Sequence, residues 1–221
     1  MPNASSCSAW RLYVIIDRAA AAGRALTEIA AGAIRGGADV LQLRDKRAEP
    51  SALAAEARRL LALTRPAGIP LIINDHPDVA AEAGADGVHL GQDDPPVEAA
   101  RARLGAGRLI GKSTHSLAQA LAAEAEGADY LGYGPLFPTP TKPSVAPVGL
   151  GALAEVHRRV SRPVVCIGGI DDVRVGAVVA AGGRRIAVVR AVCSADDPAA
   201  AAARLRERLE EFLRTSTAGC L

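Results

Sequence analysis

Short apolar runs alternate with Ala-rich stretches along most of this chain. The runs LYVIID (12–17), VLQLRD (40–45), PLIIND (70–75), GVHLG (87–91), LIGKS (109–113), YLGYGP (130–135), PVVCIGG (163–169) and IAVVR (186–190) read as strands. Each is followed by a helix candidate, at about 24–36, 51–65, 77–84, 96–104, 116–127, 149–160, 172–181 and 197–214. Strands this apolar are covered on both faces, as in a parallel sheet with helices outside. Eight strand–helix units in 221 residues predict an α/β fold, a single (β/α)8 TIM barrel in one domain over 1–221. The ordered barrel is expected over about 10–214, with frayed tails at 1–9 and 215–221. An open doubly wound sheet would show a Gly-rich fingerprint after its first strand, and IIDRAAAAG has none.

A local echo fits the barrel. RGGADVLQLR, EAGADGVHLG, AEGADYLGYG and AAGGRRIAVVR share one plan: a helix end, a Gly-containing turn, then a strand. One segment breaks the pattern. Residues 135–148, PLFPTPTKPSVAPV, form a long Pro/Thr-rich loop after the sixth strand. Long loops in compact barrels are usually functional or mobile, and here the segment is placed to act as a lid.

Composition narrows the class. Aromatic residues are only 3% of the chain, so the core rests on Val, Ile, Leu and Ala. A net charge of +2 without a long basic run argues against a nucleic-acid binder. No segment has the unbroken apolar length of a membrane span, and the N-terminus lacks a signal-peptide pattern, so a cytoplasmic protein is expected. Cys7, Cys166, Cys193 and Cys220 form no CxxC pair and read as free thiols, two in tails and two in or beside apolar strands.

Candidate chemistry gathers where a barrel keeps it, at the C-terminal ends of the strands. In LQLRDK, Gln42, Arg44 and Lys46 share one face. The third strand delivers Asn74 and Asp75, and the fourth delivers His89, Gln92, Asp93 and Asp94. Ser113, Thr114 and His115 close the fifth, and Thr139, Thr141 and Lys142 lie in the loop after the sixth. Gly168 and Gly169 end the seventh, and Val189-Arg190 ends the eighth. The cations Arg44, Lys46 and Lys142 suit a phosphate or pyrophosphate. Asp75 and Asp94 are hard oxygen ligands that suit Mg²⁺. Each residue also has a structural reading: Asp75, Asp93 and Asp94 as turn or helix-cap residues, His89 as a packed core histidine, His157 on a solvated helix face.

Together LQLRDK, IINDH, DGVHLGQDD, GKSTHS, ADYLGYGPLFPTPTK and VVCIGGI resemble the thiamine phosphate synthase family, in its order and spacing, over about residues 12–200. That family joins a hydroxymethylpyrimidine pyrophosphate to a thiazole phosphate, giving thiamine phosphate and pyrophosphate. The resemblance implies that Gln42, Arg44, Lys46 and Asn74 contact the pyrimidine substrate and its pyrophosphate. It implies that Asp75 and Asp94 hold Mg²⁺, and that Ser113 and Lys142 also grip the pyrophosphate. Thr139, Thr141, Gly168, Gly169, Val189 and the end of the eighth strand would bind the thiazole phosphate, and Tyr13 and His89 would line the pyrimidine pocket. The implied mechanism is dissociative, with pyrophosphate leaving before the thiazole nitrogen attacks, so Arg44, Lys46, Ser113 and Lys142 would act catalytically. The partners implied are two small molecules and a second copy in a homodimer. One departure stands out: the family commonly ends the eighth strand with Ser, where this chain has Arg190. Arg190 either binds the phosphate or turns into a salt bridge. The related thiazole tautomerases share the barrel, but tend to lose the acidic pair that GQDD retains. A phosphate-ligand sensor would need no magnesium–pyrophosphate half-site.

Overall fold

The computed structural model describes residues 4–142 and 145–218. Eight parallel strands close into a barrel in sequence order. They are β1 (Leu12–Asp17), β2 (Val40–Arg44), β3 (Leu71–Asn74), β4 (Gly87–Leu90), β5 (Leu109–Thr114), β6 (Tyr130–Tyr133), β7 (Val164–Ile167) and β8 (Ile186–Val188). The helices are α1 (Leu26–Arg35), α2 (Pro50–Thr64), α3 (Pro77–Ala83), α4 (Val97–Leu104), α5 (Leu117–Ala125), α6 (Leu153–Arg159), α7 (Val175–Ala180), α8 (Arg190–Cys193) and α9 (Pro198–Ala218). The short α8, a single turn carrying Cys193, was not foreseen.

The strands bury two different faces. Leu41 and Leu43 of β2 point outward into the layer beneath the helices, with Leu12, Val14 and Ile16 of β1. The inward face packs a smaller cluster that includes Tyr13, Ile15, Val40, Ile72, Leu109, Tyr130 and Val165. Gln42 alternates with the outward leucines, so its polar face is the barrel interior.

The repeated Gly-Ala-Asp turn has a specific task. Asp39, just before β2, accepts the Leu12 N–H that begins β1, at 2.9 Å. Asp86 does the same for Leu71 at the start of β3, at 2.9 Å, and Asp129 for Ile110 on β5, at 2.8 Å. Each carboxylate thus fixes the lower end of the strand before its own, satisfying an N–H that lies below the ladder. The fourth copy has Arg185 in place of Asp, and there the backbone makes the link to the preceding strand: Cys166 N–H of β7 donates to the Arg185 carbonyl, at 2.9 Å.

The ends differ from expectation. Residues 1–3 and 219–221, with Cys220, lie outside the described residues, as do 143 and 144 of the long loop. Ala4–Ala9, expected as frayed chain, form a 3₁₀ helix. Its Cys7 and the following Trp10 are buried against the lower side of the barrel interior. The C-terminal helix continues past 214 to Ala218. His157, expected on a solvated face, is partly buried, and its Nε2 has no hydrogen-bond partner among the described residues.

Candidate active site

A cavity of about 400 Å³ opens at the C-terminal mouth of the barrel. It brings together Gln42, Arg44, Asn74, His89, Ser113, Thr139, Thr141, Lys142, Gly168, Gly169, Val189 and Arg190, contributed by seven strands or the loops after them. Four other expected residues do not line it. Lys46, Asp75 and Asp94 form a group beside its rim, and Tyr13 lies beneath the floor.

Arg44 is aimed by its neighbour on the barrel. It forms an ion pair with Asp17, the last residue of β1, in the register that sets Asp17 against Arg44. Asp17 also accepts the Ala20 N–H at 2.9 Å, so both partners are held. Asp17 is only 2% exposed, and a buried carboxylate of this kind needs such pairing.

Lys46 Nζ lies 3.0 Å from Asp75 Oδ2. Asp75 sits at φ 66°, in the left-handed region unusual for a side chain with a Cβ. Its N–H donates to the His89 carbonyl at 2.9 Å. Asp94 caps no helix; it accepts the Gly91 N–H at 2.5 Å and is within hydrogen-bond reach of Asp75. Burial raises both carboxyl groups, but hydrogen bonds from Asp94 and Lys46 outweigh it at Asp75 and hold that group below its usual value. Asp94 is pushed up by burial and by the neighbouring Asp75 carboxylate. Two hard carboxylates whose repulsion leaves one of them inclined to keep a proton are a fitting donor set for a small divalent cation such as Mg²⁺.

Lys142 completes the cationic side. Burial, then Arg44 and Lys46, push its ammonium below the ordinary lysine value. The loop that carries it is pinned at its base: Leu136 N–H donates to the Ile167 carbonyl at 2.8 Å and Phe137 N–H to the Gly168 carbonyl at 3.0 Å. Gly168 and Gly169 have φ of 100° and 64°, and side chains there would collide with this same loop.

The histidines take distinct places. His89 reaches Tyr130 Oη through Nδ1 at 3.2 Å and Ser113 Oγ through Nε2 at 2.9 Å. Burial, with nearby Lys142 and Lys112, pushes it down to about 4, so its ring is neutral at pH 7. The Ser113–His89 pair differs from a hydrolytic one, because a tyrosine rather than a carboxylate meets Nδ1. His115 lines the cavity and is tied through Nδ1 to the Gly134 carbonyl. His76 is exposed, and Thr114 faces outward and donates to the Gly132 carbonyl at 3.1 Å.

Sequence reasoning missed several contributors. Asp17 read as a strand end, although it fixes Arg44. Arg174 lines the cavity, donates to the Gly169 carbonyl at 2.8 Å and lies over the Phe137 ring, 5.3 Å from its centre. Its position five residues after the Gly-Gly turn was a usable signal. Tyr130 read only as an apolar strand residue.

Comparison with known proteins gives the family and the fold. A family profile described as thiamine monophosphate synthase matches residues 12–192. The chain belongs to the thiamine monophosphate synthase family. It is 50% identical to the thiamine-phosphate synthase of Chloroflexus aurantiacus, over 89% of this chain and 91% of that protein. It is 45% identical to that of Shouchella clausii, over 91% of this chain and 97% of the other. Among solved structures, a thiamine phosphate pyrophosphorylase from Pyrococcus furiosus superposes with a TM-score of 0.86 at 38% identity, covering 94% of this chain and 98% of that one. A 3-hexulose-6-phosphate synthase at 22% identity and a TM-score of 0.62 shares the barrel.

Proposed function

We infer that this member of the family condenses a hydroxymethylpyrimidine pyrophosphate with a thiazole phosphate, releasing pyrophosphate. The observation that carries the reading is the grouping of Arg44, Lys46 and Lys142 with the carboxylates Asp75 and Asp94 at the mouth of one cavity. Such a grouping serves a reaction whose difficulty is charge leaving as pyrophosphate, and calls for positioning and electrostatic stabilisation rather than covalent attack. Arg44, held by Asp17, and Lys142 both line the cavity and would meet the departing oxygens. Ser113 adds a hydroxyl, Gln42 and Asn74 orient the pyrimidine, and the partly apolar walls, among them Ile15 and Ile167, exclude water around the reacting carbon. Asp75 and Asp94 would hold Mg²⁺, which when bound supplies positive charge against the pyrophosphate.

The thiazole phosphate is assigned to the side formed by Thr139, Thr141, Gly168, Gly169, Val189 and Arg190. Arg190 is exposed in the lining and forms no ion pair among the described residues, which supports its phosphate-binding reading over the salt bridge. A cytoplasmic place of action and a homodimer belong to the same proposal, the latter testable by light scattering. No helix among the described residues is long and apolar enough to cross a membrane. The deciding assay combines the protein with both substrates and Mg²⁺, with an EDTA control. Thiamine phosphate that disappears with EDTA supports the reaction and the carboxylate pair together. A folded protein that yields none overturns the reading.

A further inference from the structure

Two tyrosines that do not line the cavity are tied into its floor. Gln42 Nε2 donates to Tyr13 Oη at 2.7 Å. Tyr13 Oη lies 3.0 Å from Tyr130 Oη, and Tyr130 Oη lies 3.2 Å from His89 Nδ1. His89 Nε2 lies 2.9 Å from Ser113 Oγ. The links run from β2 through β1, β6 and β4 to β5, crossing the barrel under the cavity. Both ends, Gln42 and Ser113, return to the cavity wall.

A tyrosine hydroxyl has one proton, and a neutral imidazole has one N–H. Where every contact of the chain carries one proton, the direction of the first bond sets the others. The Gln42 amide nitrogen only donates, so Tyr13 accepts there and turns its proton to Tyr130. Tyr130 then turns its proton to His89 Nδ1. That leaves the ring proton on Nε2, pointing at Ser113 Oγ, and frees the Ser113 proton for the cavity.

The barrel leaves room for this chain. A Cβ on Gly111, the inward position of β5 between Leu109 and Ser113, would lie 2.5 Å from both His89 Nδ1 and the Tyr130 hydroxyl. A Cβ on Gly132 would lie 3.2 Å from His89 Cε1. From below, Trp10 packs edge-on against both tyrosine rings, at 5.9 and 5.1 Å between centres. This keeps bulk water from competing for the hydroxyls.

We propose that Tyr13 and Tyr130 are positioning residues, and that the chain Gln42–Tyr13–Tyr130–His89–Ser113 has a fixed polarity. It presents the Gln42 carbonyl oxygen as an acceptor to the amino group of the pyrimidine and the Ser113 hydroxyl as a donor to the leaving pyrophosphate. The assignment of the two ends rests on the proposed reaction; the polarity itself does not. It would give the pyrimidine half-site one hydrogen-bonding pattern before substrate arrives.

The test reads the His89 tautomer in protein labelled with ¹⁵N-histidine, using long-range ¹H–¹⁵N spectra without substrate, with His89→Gln to assign the signal. The expected result is an Nε2–H ring in the unmodified protein and a mixed tautomer in Tyr130→Phe. In turnover, Tyr130→Phe should lower kcat roughly tenfold, the scale of one supporting hydrogen bond, while KM for the thiazole phosphate stays unchanged. Tyr13→Phe, which cuts the chain one link earlier, should also mix the tautomer, and gives a second measurement if Tyr130→Phe folds poorly. An Nδ1–H ring in the unmodified protein overturns the proposal, since the chain then runs the other way. So does an unchanged tautomer and kcat in the folded variants. Absence of turnover in the unmodified protein would count against the reaction alone, because the spectra need no substrate.

Discussion

Lys142 shows what a single residue contributes here. Its ammonium is partly desolvated and surrounded by Arg44 and Lys46, an arrangement unfavourable until an anion arrives. Replacing Lys142 with Ala should therefore cost little stability but lower kcat/KM for the pyrimidine pyrophosphate by roughly 10²-fold, as loss of one preorganised charge does. Steady-state kinetics with each substrate varied in turn checks this; an unchanged value would remove the loop from the chemistry. The place of Lys142 at the cavity was legible in the sequence, because the long Pro/Thr-rich loop follows a barrel strand and so lies at the mouth. The Asp17–Arg44 pair and the Tyr13–Tyr130 contact were not. Tyr13 and Tyr130 stand 117 positions apart, and only the closed barrel decides which inward side chains meet across its floor.

At the scale of elements, the strand boundaries were readable to within a few residues, because apolar runs and Gly turns carry them. Helix exposure was less so. On α6, His157 lies near Arg184 and Arg185, which precede β8, and burial and these two cations push it down to about 4. The unfolded chain would protonate His157 near the ordinary value of about 6.5. Between those values the unfolded state binds the proton that the folded state refuses, so stability present above pH 6.5 is lost as pH falls toward 4. Melting temperatures at pH 7 and 4.5 should differ less for His157→Gln than for the unmodified protein. Equal differences would show that the histidine carries none of the acid sensitivity.

The whole molecule separates its two ends. The mouth holds the charged groups of the candidate site, and the lower opening is closed by the Ala4–Ala9 turn and Trp10, which is 4% exposed. Trp10→Ala should cost about 3–5 kcal/mol, the usual range for emptying a large aromatic site. Urea unfolding measures it, and a loss below about 1 kcal/mol would mean that the turn does not seal the barrel. Asp75 works in the opposite sense. Its left-handed backbone favours glycine, and its carboxylate pushes against the charged form of Asp94, so Asp75→Gly should raise the melting temperature while abolishing metal-dependent turnover. A population of variants sorted only by survival of heating would thus drift toward glycine at this position and become sturdier and inert. Only continued demand for the product would keep the aspartate in place.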